Sequence, residues 1–127
     1  MEFKKLQVYY KARKVYLKIL EEVVMTSTLS HITRDQLRRA ALSIVLNIAE
    51  GSTRITPNAK INFYVMARGS TAECYAIIDL ISLSPERVEG YAYNELLAML
   101  DEISKMLYGL IKSVEEEKLN EVLKFSQ

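Results

Sequence analysis

Apolar residues recur at helical spacing along most of the chain, and residues 36–54 have two apolar sides rather than one. At 100° per residue, one stripe predicts the side that faces a core: Leu37, Ala40, Ala41, Ile44 and Ile48. A second apolar stripe consists of Leu42, Leu46 and Ala49. Because a helix in a monomer needs only one apolar side, the second stripe predicts contact with a neighbouring helix or another subunit.

The first 26 residues show the same two-sided pattern. The predicted core stripe is Val8, Ala12, Val15, Ile19 and Val23. A second seam, interrupted by Arg13, contains Phe3, Leu6, Tyr10, Leu17, Leu20 and Val24. Residues 27–30 are poor helix interior, so the first helix is predicted over about residues 5–26.

The second helix is bounded by a capping signal and a glycine. Thr33 with Gln36 three residues later has the spacing of a capping box, which predicts a start at Arg34. Gly51 is predicted to adopt the left-handed conformation that ends a helix. These signals predict a helix over about residues 34–50.

Two further helices complete the pattern. Thr56 followed by Pro57 predicts the start of a third helix that runs to about residue 82. Its predicted core stripe is Phe63, Met66, Ala67, Ser70, Cys74, Ile77 and Ile81. A fourth helix is predicted over about residues 92–114, with a possible extension to 124. No segment shows the alternation of a strand. The sequence therefore predicts a single all-α domain of residues 1–127, an antiparallel up-and-down four-helix bundle.

The composition restricts the expected setting of the protein. A single cysteine, Cys74, cannot form an internal disulfide, which favours a reducing cytoplasm. The longest apolar run, residues 40–49, is shorter than the roughly 20 residues that span a bilayer, and no secretory leader is recognisable. We therefore expect a cytoplasmic protein without a membrane partner.

Charge is distributed unevenly along the chain. Residues 1–68 contain 12 lysines and arginines against 5 acidic residues, whereas residues 69–127 contain 5 against 11. Such a division suits a nucleic acid on the basic side, or helices and subunits held together by complementary charge, or a solvated surface without a partner. The residues predicted to bind RNA or DNA are Lys4, Lys11, Lys14, Lys18, Arg34, Arg38 and Arg54.

A polar stripe lies between the two apolar sides of the second helix. With two residues of the third helix it forms the set Arg39, Ser43, Asn47, Glu50, Ser70 and Glu73. These residues are either a binding site or a buried network that fixes the register of the helices, and the second interpretation is favoured. No histidine or nucleophile accompanies the carboxylates, His31 is predicted in a loop and Cys74 in the core. No catalytic site, metal site or cofactor is therefore predicted.

The second apolar seams predict where subunits meet. The residues expected at an oligomer interface are Leu6, Tyr10, Leu17, Leu20, Leu42 and Leu46.

Residues 38–51 read R-R-A-A-L-S-I-V-L-N-I-A-E-G, which resembles the R-R-A-A-V-S-I-P-x-N-I-A-E-G signature of the four-helix-bundle 23S rRNA intervening-sequence proteins. The sequence departs from that family at Val45, where proline is common, and at Tyr75, where glutamate is common. The similarity extends over nearly the whole chain, at Phe3, Leu6, Val8, Tyr9, Lys11 and Ala12, at residues 67–70 with Glu73, and at residues 102–107.

The resemblance implies a cyclic homo-oligomer, usually a pentamer, without enzyme activity. The same broad family is similar to the accessory proteins of diversity-generating retroelements, which bind nucleic acid and a reverse transcriptase through a basic pentameric barrel. The expected partners are therefore further copies of the chain, RNA or DNA, and a reverse transcriptase or another protein. The alternative is a protein-interaction ring without a direct role in nucleic-acid binding.

Overall fold

Four long helices make up most of the computed structural model, which describes residues 1–25 and 28–126, apart from the side chains of residues 4 and 5. A 3₁₀ helix, Glu2–Lys5, precedes α1 (Gln7–Ile19), which continues as a π-helical segment, Leu20–Val24. The other helices are α2 (His31–Thr53), α3 (Pro57–Leu83) and α4 (Tyr93–Phe125). No residue in the described ranges belongs to a strand. The predicted end of the first helix, residue 26, lies outside the described residues.

Each helix packs against the next along the chain, and α1 also packs against α4. Across the described residues α1 and α3 do not contact each other, so the four helices occupy the corners of a square. Short connections between successive helices make neighbours antiparallel. The predicted all-α, up-and-down bundle is confirmed.

The core is built from the stripes that the helical periodicity predicts in α1, α2 and α4. All five predicted core residues of the first helix and all five of the second are buried. From α4, four buried aliphatic side chains complete the interior: Leu96, Leu100, Ile103 and Leu107. Val45 is buried too, and α2 passes through this position as regular helix.

The start of α2 differs from the prediction, because Ser30 and not Thr33 is the N-cap. The Ser30 hydroxyl accepts a hydrogen bond from the Thr33 backbone N–H at 3.2 Å. Glu86, from the loop before α4, accepts hydrogen bonds from the Ser30 N–H (2.9 Å) and the Thr33 hydroxyl (3.3 Å). The bond from the Ser30 N–H holds the pKa of Glu86 below its usual value. A carboxylate from a distant loop therefore fixes the helix start three residues earlier than predicted.

The predicted end of α2 at Gly51 is also wrong. Gly51 is buried within the helix, which continues to Thr53. A Cβ built on Gly51 would lie 2.6 Å from Cε1 of Tyr64 on α3. This glycine serves the close packing of α2 against α3 and not the termination of a helix.

The predicted core stripe of α3 is partly wrong. Ala67, Cys74 and Ile81 are buried as predicted, but Met66 is exposed and three predicted residues are only half-buried: Phe63, Ser70 and Ile77. The residues that complete the core are Tyr64, Thr71 and Ile78. Thr71 tolerates burial because its hydroxyl donates a 2.8 Å hydrogen bond to the Ala67 carbonyl.

The ends of α3 and α4 follow from local signals. Thr56 caps α3 by accepting a hydrogen bond from the Ala59 N–H at 3.2 Å, and Pro57 occupies the first turn, as predicted. Gly90 has a φ of 76° in the turn before α4, a conformation that favours glycine. The possible extension of the fourth helix is present, since α4 reaches Phe125, and residues 115–126 are all exposed.

Candidate functional site

Two of the predicted nucleic-acid-binding lysines face α4 and are paired with its carboxylates. Lys11 Nζ lies 2.7 Å from Glu102 Oε1. Lys18 Nζ lies 3.4 Å from Glu95 Oε1 and 3.6 Å from Glu22 Oε2. The charge of these two lysines is therefore largely neutralised at the seam between α1 and α4, although partly exposed ion pairs contribute little to stability.

Of three more predicted basic residues, two contact groups close to them in the sequence, and the side chain of the third lies outside the described residues. The Arg34 guanidinium donates a hydrogen bond to the Leu29 carbonyl at 3.2 Å. Arg54 pairs with Glu50 at 2.8 Å, and its guanidinium carbon lies 4.7 Å from the centre of the Phe63 ring. The side chain of Lys4 lies outside the described residues.

The remaining predicted cations, Lys14 and Arg38, are exposed and have no ion-pair or hydrogen-bond partner within residues 1–25 and 28–126. Lys14 borders the groove between α1 and α4 that Glu95 and Glu102 also line. Arg13 is exposed on α1, with its guanidinium 4.7 Å from the centre of the exposed Tyr10 ring. Arg13 was not among the predicted binding residues, although its interruption of an apolar seam is a signal that it faces outward. We use the name basic α1–α2 surface for the exposed cations of these two helices that form no ion pair, Arg13, Lys14 and Arg38, together with Tyr10.

The predicted polar network is reduced to its central members. Ser43 and Ser70 share a hydrogen bond of 2.8 Å between α2 and α3. The Asn47 amide donates to the Ser43 carbonyl and hydroxyl oxygens, both at 2.9 Å. Half-buried hydroxyl and amide groups that satisfy one another fix helix register, which is the structural interpretation favoured by the sequence.

The other predicted members of this network do not join it. Glu50 pairs with Arg54. Arg39 on α2 and Glu73 on α3 are exposed, and neither has an ion-pair or hydrogen-bond partner in the described part of the chain.

The predicted interface residues divide into half-buried and exposed groups. Leu6 and Leu20 are half-buried, and Leu6 packs against the core of its own subunit. The exposed group contains Tyr10, Leu17, Leu42 and Leu46, and the side chain of Leu46 is 53% exposed.

The outer side of α3 exposes a further apolar surface that was not predicted as an interface. Its large exposed members are Val65, Met66, Leu80 and Leu83, with Leu80 67% exposed. The signal was present in the sequence, because α3 also has two apolar sides at helical spacing. The stripe predicted as core on α3 includes Met66, which the structure places outside.

The one cysteine of the chain is held in an unreactive setting, and the one histidine is exposed. Cys74 is fully buried, and burial, with a smaller contribution from the Glu73 charge, raises the pKa of its thiol to about 12. His31, on the first turn of α2 and not in the predicted loop, lies 3.4 Å from Asp35. Among the described residues no group of three or more His, Cys, Asp or Glu is arranged to hold a metal ion.

No helix within the described ranges is both long enough and apolar enough to cross a membrane.

The fold and its surfaces define a small all-α bundle with a tightly packed core, a neutralised α1–α4 seam and apolar outer sides on α2 and α3. The chain belongs to the 23S rRNA-intervening sequence protein family, whose model matches residues 4–109. The recognised resemblance is thereby confirmed.

A solved structure supports the same fold. The chain is similar to a protein of unknown function from the S23 ribosomal protein family of Bacteroides thetaiotaomicron, with a TM-score of 0.75 and 20% identity. The similarity covers 88% of this chain and 99% of that one. Among curated proteins there is no significant match.

Proposed function

We propose that the protein is a non-enzymatic subunit of a cyclic homo-oligomer, a pentamer by its resemblance to the family, which binds RNA or DNA through the basic α1–α2 surface. The observation that carries nucleic-acid binding is that Arg13, Lys14 and Arg38 are exposed and form no ion pair among the described residues. The neighbouring Lys11 and Lys18 are neutralised by α4. A cation without a carboxylate partner can neutralise a phosphate and release the counterions that are condensed on the nucleic acid.

Assembly is supported by the exposed leucines and would strengthen this binding. Leu42 and Leu46 lie on the outer side of α2, although the core of the subunit is complete without them. One subunit contributes three cations to the basic α1–α2 surface. A ring repeats them, so that weak interactions with phosphates reinforce one another.

The nature of the surface suggests what kind of nucleic acid would bind. Tyr10 is 41% exposed beside the Arg13 guanidinium, and aromatic rings next to arginines are platforms on which unpaired bases stack. Phosphate binding and stacking carry little sequence information. We therefore expect preference for single-stranded over duplex nucleic acid and weak dependence on sequence.

A salt titration tests this proposal. Binding of labelled single-stranded RNA and duplex DNA is measured at about 50 mM and about 200 mM salt, a range over which affinity for phosphates falls steeply. Replacing Lys14 and Arg38 by alanine is expected to reduce the salt slope by about 1 for each phosphate that the variant no longer binds. The matched control replaces two α4 lysines that are ion-paired on another side, Lys105 and Lys112. Absence of binding at low salt, or an equal reduction of affinity in both variants, would contradict nucleic-acid binding.

The alternative is a protein-interaction ring, for example one that binds a reverse transcriptase, without direct contact to nucleic acid. The observation that favours it is Leu17, which is 48% exposed on the outer side of α1. An aliphatic side chain makes no favourable contact with phosphate, so this residue suits a protein partner. A ring that fails to retain nucleic acid but binds a purified reverse transcriptase, and no longer does so after Leu17→Glu, would favour this alternative.

A further inference from the structure

The outer sides of α2 and α3 differ from the rest of the bundle. The α1–α4 seam contains ion pairs between helices, and the outer side of α4 carries charge pairs such as Lys105 with Asp101. In the described residues no ion pair joins α2 to α3. The outer side of α2 exposes Leu42 and Leu46, and that of α3 exposes Val65, Met66 and Leu80. Several large exposed apolar side chains on two neighbouring helices mark a surface that a partner covers.

Arg39 and Glu73 lie at the same height on these two outer sides. Arg39 is one helical turn before Ser43, and Glu73 is one turn after Ser70. Because α2 and α3 are antiparallel and Ser43 contacts Ser70, both steps lead toward the same end of the bundle. Both side chains are exposed, and within the described part of the chain neither has a partner. The α2 side therefore offers a free cation, and the α3 side offers a free anion.

The shape of the two sides is complementary as well as their charge. A Cβ built on Gly69 has no other atom within 4 Å, so this position of α3 is open toward solvent. Gly69 lines a hollow between α3 and α4 whose other lining residues are Val65, Arg68, Ala72, Ser104 and Ile111, so most of its lining is apolar. Leu46 lies one turn after Ser43, at the height of this hollow, and is a side chain of suitable size to enter it.

The directions of the two sides permit closure of a ring. Helices at adjacent corners of a square bundle point outward in directions that differ by about 90°. In a closed ring, each copy uses one side to contact the copy before it and another side to contact the copy after it. The outward directions of these two sides differ by about 90° in a ring of four copies and by about 108° in a ring of five. Rotation about an axis parallel to the helices leaves heights unchanged, so Arg39 of one copy stays level with Glu73 of the next.

We propose that the outer side of α2 in one copy docks on the outer side of α3 in the next, with Leu46 in the Gly69 hollow and Arg39 paired with Glu73. This inference rests on the proposed assembly and specifies how its subunits meet. The partner on each side is a second copy of the chain, because the free charges on the two sides have opposite signs and lie at the same height along the bundle. RNA or DNA suits the α3 side poorly, because Glu73 is its free charge and the nearby Arg68 is hydrogen-bonded to Ser104 and lies over the Tyr108 ring. In such a ring α1 lies away from the contact, which leaves Arg13, Lys14 and Tyr10 accessible.

The first test fills the hollow. Gly69→Leu is expected to reduce the mass of the assembly, measured by sedimentation, to that of the single subunit while helix content is unchanged. The subunit itself leaves open space for a Cβ at this position. Gly109→Leu is the matched control, because this α4 glycine is equally open and lies outside the proposed contact, and it should leave the mass unchanged.

The second test exchanges the charges and decides the question even if Gly69→Leu misfolds. Glu73→Arg and Arg39→Glu place like charges opposite each other, and each is expected to raise the concentration of half-dissociation by at least about tenfold. The double variant restores opposite charges at every interface and is expected to recover most of the wild-type affinity. Glu116→Arg, on the exposed side of α4, is the control and should have no effect.

The outcomes separate this inference from the proposed function. A wild-type chain that sediments as a single subunit would overturn both the assembly and this contact. A wild-type assembly that persists unchanged in Gly69→Leu and Glu73→Arg would overturn the contact alone. A double variant that dissociates as readily as the single variants would show that Arg39 and Glu73 are not partners.

Discussion

Gly51 of α2 lies directly against the buried ring of Tyr64 on α3. A Cβ at position 51 would be 2.6 Å from Cε1 and 2.8 Å from Cδ1 of that ring, and 3.1 Å from Cβ of Phe63. Tyr64 has little freedom to retreat, because it is only 3% exposed and packs with Ile111 and Val114 of α4. The glycine is therefore a packing requirement at the point where three helices meet.

We expect Gly51→Ala to destabilise the protein by about 1–3 kcal/mol, the usual cost of overpacking, even though alanine favours helix. The control is Gly109→Ala on α4, where a Cβ has no neighbour within 4 Å. That change should be neutral or stabilise by up to about 1 kcal/mol. Urea unfolding followed by circular dichroism measures both. Equal stability of the two variants would show that the contact with Tyr64 is unimportant.

Glu86 should make the stability of the protein depend on pH. Its folded-state pKa is lowered from 4.5, first of all by the hydrogen bond from the Ser30 N–H. A lowered pKa adds stability above the ordinary value, and this stability disappears as pH falls through the folded pKa. We expect Glu86→Gln to lower the melting temperature near neutral pH and to converge with wild type in acid.

The matched control for Glu86 is Glu116→Gln, because Glu116 is exposed on α4 and makes no hydrogen bond in the described structure. Its melting temperature should follow that of wild type at each pH. A Glu86→Gln variant that differs from wild type by the same amount in acid as at neutral pH would contradict the capping role.

Cys74 should be unreactive in the folded protein. Its side chain is fully buried, and a thiol pKa of about 12 leaves very little thiolate near neutral pH. We expect a disulfide reagent such as dithionitrobenzoate to modify it at the rate of unfolding, and completely in urea. Rapid stoichiometric labelling without denaturant would show that α3 opens or is packed differently.

Leu46→Glu is expected to dissociate the assembly while the subunits remain helical. The substitution places a charge at a position that is 53% exposed in the subunit and covered in the proposed ring. The control is Leu119→Glu, at an exposed leucine in the last turns of α4, 58% exposed. Sedimentation and circular dichroism distinguish the outcomes, and an unchanged mass for Leu46→Glu would exclude this residue from the interface.

The helices and most of the core could be predicted because they depend on periodicity within one segment. Val15 and Ile48, for example, are buried as their stripes indicate. Gly51 was misassigned because the ring that excludes a side chain there comes from another helix. Ser30 was not predicted as the N-cap because Thr33 has a similar hydroxyl group. The cap at Ser30 is reinforced by Glu86, which lies more than 50 residues away in the sequence.

The surfaces could be predicted less well, because spacing along one helix does not reveal what lies opposite. Lys11 and Lys14 are equally basic in the sequence, yet of these two only Lys11 forms an ion pair with a carboxylate of α4 in the described residues. The two apolar sides of α3 were both visible, but their assignment as inner or outer depends on packing against α2 and α4. Met66 and Thr71 show the consequence, since the methionine is outside and the threonine is buried.

The most direct measurement is the mass of the wild-type protein in solution, determined by sedimentation equilibrium over a wide range of concentration. The single chain has a mass of 14.6 kDa, and we expect a discrete species of about five times that mass. A species of 14.6 kDa at every concentration, with Leu42 and Leu46 exposed to water, would contradict the assembly on which the proposed function depends.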